Sequence, residues 1–218
     1  MPRDARSVRA RALIGLAHMA IFEGQYVEAG ARAAEALSLG REDGDAWVVS
    51  VALFVEGDAA FELGEHDRAQ QLVDESIEVQ RRAGEAWGLS VSLSVAAILG
   101  IVRDDVDQAR AQASEALSLS QELEDPHLIA LSLEVFAALL AAGGLGDGAA
   151  RLWGASEEIY ERVTGSLPPP IRSIRDRYIE QVKSSLGGAA FEIARAEGRA
   201  MPLVQAIALA RQQAALLG

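Results

Sequence analysis

The sequence predicts an all-α chain: a solenoid of antiparallel helix pairs repeating about every 40 residues and closed by a C-terminal helical cap. Three observations carry this. Ala29, Ala69, Ala109 and Ala149 stand 40 residues apart, and small residues follow at Ala36, Ser76, Ala116 and Ser156. One position further come Leu37, Ile77 and Leu117, where the fourth copy departs with Glu157. The residues ahead of the alanines also recur, as Gly24-Gln25-Tyr26, Gly64-Glu65-His66 and Asp104-Asp105-Val106. A period this long marks one supersecondary unit that cannot bury its own apolar face and stacks on copies of itself. Small residues at fixed helical offsets let two backbones approach.

The elements follow in order. Helix 1A is expected over 4–22 and 1B over 25–39, then 2A over 45–63 and 2B over 65–82. The third pair spans 85–102 and 105–123, and the fourth 126–142 and 147–163. Gly24 and Gly64 end A helices as left-handed caps. Glu65, Asp67, Asp104, Asp105 and Asp147 sit where B helices start, facing free N–H groups and the positive end of the dipole. Gly40, Gly44 and Gly84 are read as B-to-A turns, and Pro126 suits a first helical turn. The array is expected to stop at Thr164 to Pro170, because three prolines in a row cannot continue a helix. Four repeats (about 4–40, 44–83, 84–123 and 125–164) therefore make a first domain, 1–164, and 165–218 a cap. In that cap Ile171, Ile174, Tyr178, Val182 and Leu186 form one stripe, a short helix lies about Phe191, and Pro202 opens the last helix.

Composition narrows the function classes. Half the residues are apolar but only 5% are aromatic, which suits many thin helix–helix contacts. With no Cys there is neither a disulfide framework nor a thiolate metal site. This fits a cytoplasmic location. The net charge of −12 argues against general nucleic-acid binding, which needs Lys and Arg at phosphates. The acid is uneven: residues 1–169 hold 13 basic and 28 acidic side chains, a net of −15, and residues 170–218 hold 7 and 4, a net of +3. The most apolar stretch, 91–102, is 12 residues long and well short of the ~20 that span a bilayer. Arg3, Arg6, Arg9 and Arg11 ahead of an apolar stretch superficially fit a secretory leader. His18, the lack of a small-x-small site and the repeat register assign that stretch to the first helix instead.

The repeat resembles a tetratricopeptide (TPR) repeat of an extended kind. Its marks are small residues in helix A (Gly57, Ala97, Ala137), a turn glycine, the helix B alanine and a small residue seven later. The period is 40 rather than the family's 34, and no proline closes each unit. Residues 150–210 are similar to the end of the effector region in large ATP-binding LuxR-type bacterial regulators and AAA-ATPase signalling proteins. The matching residues are Leu152-Trp153-Gly154-Ala155, Leu167-Pro168-Pro169, Leu186-Gly187 with Phe191, and Glu197-Gly198-Arg199-Ala200 followed by Leu203 and Ala206-Ile207. The resemblance implies a right-handed superhelix and a non-catalytic sensor or scaffold within a transcriptional regulator. Such regulators also carry an ATPase and a helix-turn-helix. Neither lies in these residues, so the chain is expected to be a fragment or a stand-alone relative.

Mapped on the family frame, one face of each A helix lines the concave surface. The partner-binding residues expected there are Arg11, His18, Phe54, Asp58, Glu62, Ser94, Ile98 and Glu134, an apolar groove edged by carboxylates and suited to a peptide with a basic residue. The expected partner is a protein or peptide; a small-molecule effector and a homodimer formed by stacked end helices are further expectations. No nucleic acid, membrane, cofactor or metal is expected.

Other groups read as structural. Trp47 and Trp87 are read as packing residues at helix starts. His18, His66 and His127 fall in three different repeats with no HExxH spacing. The glycines of 143–148 lack the strand and the Lys-Ser/Thr of a phosphate loop. Glu157, Glu158 and Glu161 are placed on a solvated face. Arg172, Arg175, Arg177 and Lys183 are read as attracted to the array's own carboxylates.

Overall fold

The computed structural model describes residues 3–163, 165, 167 and 169–217, and these form eleven α-helices with no strand among them. The first four hairpins are α1 (Arg3–Phe22) and α2 (Tyr26–Asp43), α3 (Ala46–Glu62) and α4 (His66–Ala83), α5 (Ala86–Val102) and α6 (Val106–Glu122), and α7 (Pro126–Ala142) and α8 (Gly146–Val163). The tail folds as α9 (Pro169–Leu186), α10 (Gly188–Arg199) and α11 (Leu203–Ala214). Of the expected stop, Thr164, Ser166 and Pro168 lie outside the described residues. Pro169 and Pro170 open α9, where a first turn needs no N–H donor.

The backbone repeats every 20 residues, half the sequence period. Left-handed residues fall at Gly24 (φ 73°), Gly44 (68°), Gly64 (79°), Gly84 (68°), Asp104 (62°), Glu124 (51°) and Gly144 (79°). After each, the next N–H reaches back to the carbonyl five residues earlier. Examples are Gln25 to Ala20 at 2.8 Å, Asp45 to Gly40 at 3.0 Å, Asp105 to Gly100 at 2.9 Å and Asp125 to Ser120 at 3.2 Å. This is the bond that closes a helix through a left-handed cap. Five of the seven positions use glycine; Asp104 and Glu124 hold the same conformation with a side chain.

Gly40 departs from the expected turn role. It lies inside α2, buried, and a Cβ there would come within 2.6 Å of Val48 Cγ1. Its lack of a side chain serves the close approach of α2 to α3, and the helix turns four residues later at Gly44. Capping also differs in part. Asp105 accepts from the Gln108 N–H as expected, but Glu65 makes no capping bond and instead pairs with Arg68 at 2.9 Å. The more regular caps open the A helices: Asp45 accepts from Val48, Glu85 from Gly88 and Asp125 from His127 and Leu128.

The chain divides into two compact units, Met1–Leu99 and Gly100–Gly218. In the first, Ala10, Ile14, Ala36, Leu37, Val48, Ala52 and Leu53 form one apolar cluster. Ala17, Ala20, Ile21, Ala29, Ala33, Val55 and Ala59 form another. The repeat alanines are therefore the crossing points of neighbouring helices. Ser76, at the same repeat position as Ala36, donates its hydroxyl to the Ser50 carbonyl at 2.9 Å, so a buried polar atom is satisfied.

In the second unit the tail helices pack on α7 and α8. Gly154 of α8 and Gly198 of α10 face each other's helix so closely that a Cβ on Gly154 would lie 2.0 Å from the Arg195 carbonyl oxygen. One on Gly198 would lie 1.9 Å from that of Arg151. Glu157, expected on a solvated face, is buried. It stands where the earlier repeats have Leu37, Ile77 and Leu117 because the tail supplies its partners: the Arg175 guanidinium of α9 and Arg195 Nε of α10, the latter at 2.9 Å. Arg175 also pairs with the fully buried Glu134 of α7. The fourth repeat thus exchanges an apolar contact for a buried ion network, and Arg175 of the basic cluster is taken up inside the chain.

Candidate functional site

The first unit brings part of the expected surface together on α1 and α3. Arg11 lies over the Trp47 ring, 4.6 Å from its centroid, and His18 lies 6.3 Å from the Phe54 ring. Both pairs are separated by 36 in sequence, so the two helices run parallel in one register. At the same spacing of 36, Phe22 corresponds to Asp58. Along α3, residues 47, 54, 58 and 62 fall on one stripe at helical spacing.

The stripe is polarised. At one end Arg11 donates to Asp45 at 3.2 Å while stacking on the indole, so its charge is partly met. In the middle, His18 Nδ1 is 3.1 Å from the Ile14 carbonyl oxygen, and its ring packs toward Phe54. Burial holds the imidazole below its ordinary pKa, only partly opposed by that carbonyl. At the other end, half-buried Asp58 is pushed up to about 7, first by loss of solvent and then by the charge of Glu62 one turn on. No cation of the chain pairs with Asp58 among the described residues. Two groups that ordinarily differ in charge at neutral pH are therefore both driven toward their uncharged forms. The surface is apolar, edged by a carboxylate that a cation would ionise.

The remaining expected residues are placed differently. Ser94 is 1% and Ile98 2% exposed, and the Ser94 hydroxyl donates to the Ser90 carbonyl at 2.9 Å. Glu134 is 0% exposed, its carboxylate held by Arg175 and by the Ser156 hydroxyl. Burial pushes its pKa up, opposed by the guanidinium and both hydrogen bonds. These three side chains are engaged within the chain and present no surface to a partner. The family frame projects the same stripe from every A helix. It cannot register that the matching positions of α5 and α7 are buried.

Trp47 and Trp87 reverse the packing expectation: they are 42% and 49% exposed. The signal for surface residues was their position, next to the capping residues Asp45 and Glu85 at the start of a helix, before the first buried turn. Among the described residues no group of three or more His, Asp and Glu side chains is placed to hold a metal ion, and no helix is long and apolar enough to cross a membrane.

Comparison with known proteins adds the fold. No protein-family model matches the chain, and no curated protein matches it. Solved structures do. A Podosopora anserina kinesin light chain-like protein of nearly identical TPR-like repeats superposes with a TM-score of 0.58 at 15% identity, over 94% of this chain and 96% of that one. A single-substitution variant of it gives 0.60 at 14% identity, over 89% and 94%. At such identity the likeness concerns the fold, which is that of TPR-like helix-pair repeats.

Proposed function

We propose that this chain is a non-catalytic interaction module whose α1–α3 face binds a peptide or protein segment bearing a basic residue next to an apolar one. The observation that carries the reading is Asp58. It is a half-buried carboxylate at the end of an apolar stripe, with no cation paired to it among the described residues and a pKa pushed up to about 7. A Lys or Arg brought beside it would ionise it and gain a charge-assisted hydrogen bond of about 1.5–3 kcal/mol. Phe54 and Phe22 would receive the apolar neighbour.

The resemblance of residues 150–210 to LuxR-type regulators supports a cytoplasmic sensory role in a signalling protein, with 165–218 acting as the cap of four repeats. A second reading is a homodimer. Val8, Leu16, Met19 and Phe22 on α1 are exposed apolar side chains, and an end helix of a repeat array exposes such a face when another copy covers it.

The test is a panel of fluorescent peptides of graded net charge, titrated with the full chain and with Phe54→Ala and Asp58→Asn. The reading expects basic peptides to bind and both variants to weaken binding about tenfold or more. Binding indifferent to peptide charge and to both substitutions would refute it. Light scattering tests the second reading: a concentration-dependent dimer supports it, and a monomer at every concentration removes it.

A further inference from the structure

In the second unit α8, α9 and α10 enclose a recess of about 590 Å³. That volume is within the range of small-molecule sites. Its base is aromatic: Trp153 and Phe191 are each 1% exposed, with ring centroids 6.3 Å apart. The Trp153 indole N–H is buried and finds no acceptor among the described residues. Indole nitrogen only donates, so an acceptor oxygen supplied by a ligand would satisfy it. An orphaned buried donor costs about 1–3 kcal/mol and invites an explanation.

The charges around the recess divide into two sets. Arg175 and Arg195 are neutralised by Glu134 and Glu157. Among the rim carboxylates, Glu161 is held by Arg199 at 2.6 Å and Glu192 by Arg195 at 3.2 Å, and Asp176 is exposed. Two cations stand outside this network. Lys183 Nζ lies 5.4 Å from the Phe191 ring centroid, and its carboxylate neighbour, the exposed Glu180, is 3.6 Å away. Arg172 is exposed and donates at 3.4 Å to the Leu167 carbonyl. Each retains donors for an anion. Ile179 adds an apolar wall.

We propose that this recess is a binding site for a small aromatic carboxylate. The ring lies against Phe191 and Ile179, the carboxylate meets Lys183 and Arg172, and an oxygen of the ligand accepts from Trp153 Nε1. Aromatic bodies suit an aromatic base, and a planar carboxylate suits the forked donors of a guanidinium. The site is formed by helices other than those of the peptide face and stands independently of it.

The experiment uses the full chain carrying Trp47→Phe and Trp87→Phe, both exposed positions, so that Trp153 is the one remaining indole. Phenylacetate, benzoate, benzyl alcohol and inorganic phosphate are titrated against its fluorescence. The expected result is a saturable change with the two aromatic acids and none with the alcohol or phosphate. Lys183→Gln and Arg172→Gln, surface changes that leave the fold intact, should each weaken the aromatic acids about tenfold. The proposal is overturned by no saturable response, by an equal response to phosphate or benzyl alcohol, or by affinities that neither substitution alters.

Discussion

The close crossing of α8 and α10 gives the sharpest quantitative prediction. Replacing Gly198 with Ala puts a methyl 1.9 Å from the Arg151 carbonyl oxygen, where real contacts begin at about 3.0 Å. The two backbones must separate by about 1 Å, because the obstacle is main chain and not a movable side chain. Overpacking of this kind costs about 1–3 kcal/mol. Against it, Ala in a helix interior gains about 1 kcal/mol over Gly. The net loss is up to about 2 kcal/mol, which in a chain of this size lowers Tm by up to about 8 °C. Gly15 is the internal control. It lies within α1 with nothing inside 4 Å of its would-be Cβ, so Gly15→Ala should raise Tm by about 2–4 °C. Gly154→Ala, at the same crossing, should fall with Gly198→Ala, and the double variant should lose less than the sum because one separation relieves both clashes. Thermal melts by circular dichroism measure all four. If Gly198→Ala stabilises like Gly15→Ala, the two helices are not in backbone contact and the packing of the tail is wrong.

Other outcomes follow from the same structure. Arg175→Met strands the buried Glu134 carboxylate and should destabilise by about 3–5 kcal/mol. Adding Glu134→Leu should recover much of this in urea unfolding, since Arg195 still meets Glu157; no recovery would contradict the network. Glu124 sits at φ 51°, a conformation glycine adopts freely, so Glu124→Gly should stabilise by about 0.5–1 kcal/mol in the same assay. The Asp58 carboxyl has its folded pKa raised from about 4 to about 7, so the folded state holds the extra proton across that window. Its stabilising contribution is full at low pH and is lost as pH rises from about 4 to 7. Asp58→Asn should therefore flatten the stability profile between those values and be the more stable protein at about pH 8; parallel profiles would refute the assignment.

Much of the fold was legible because the hairpin repeats in the chain. The alanine frame placed Ala29, Ala69, Ala109 and Ala149 at helix crossings, and all four are fully buried. What escaped were features set by contacts distant in sequence. Gly40 and Gly44 look alike as letters, yet one serves a helix crossing and the other a left-handed turn. Glu157 broke the apolar register, and its partners Arg175 and Arg195 lie 18 and 38 residues on, beyond any local pattern. Gly154 and Gly198 stood out within the tail resemblance, but their mutual approach needed coordinates. The residues expected to line the groove divide by burial. One face of α1 and α3 stays partly open, whereas α5 buries Ser94 and Ile98 and α7 is buried from Leu128 to Ala141.

The peptide face is the claim on which the functional account rests, and mapping amide chemical shifts during titration with a basic peptide tests it most directly. Shifts concentrated at His18, Phe22, Phe54, Asp58 and Glu62, and lost in Asp58→Asn, are the predicted result. Shifts gathered on the outer faces of α2 and α4, or no shift anywhere in residues 3–99, would contradict it.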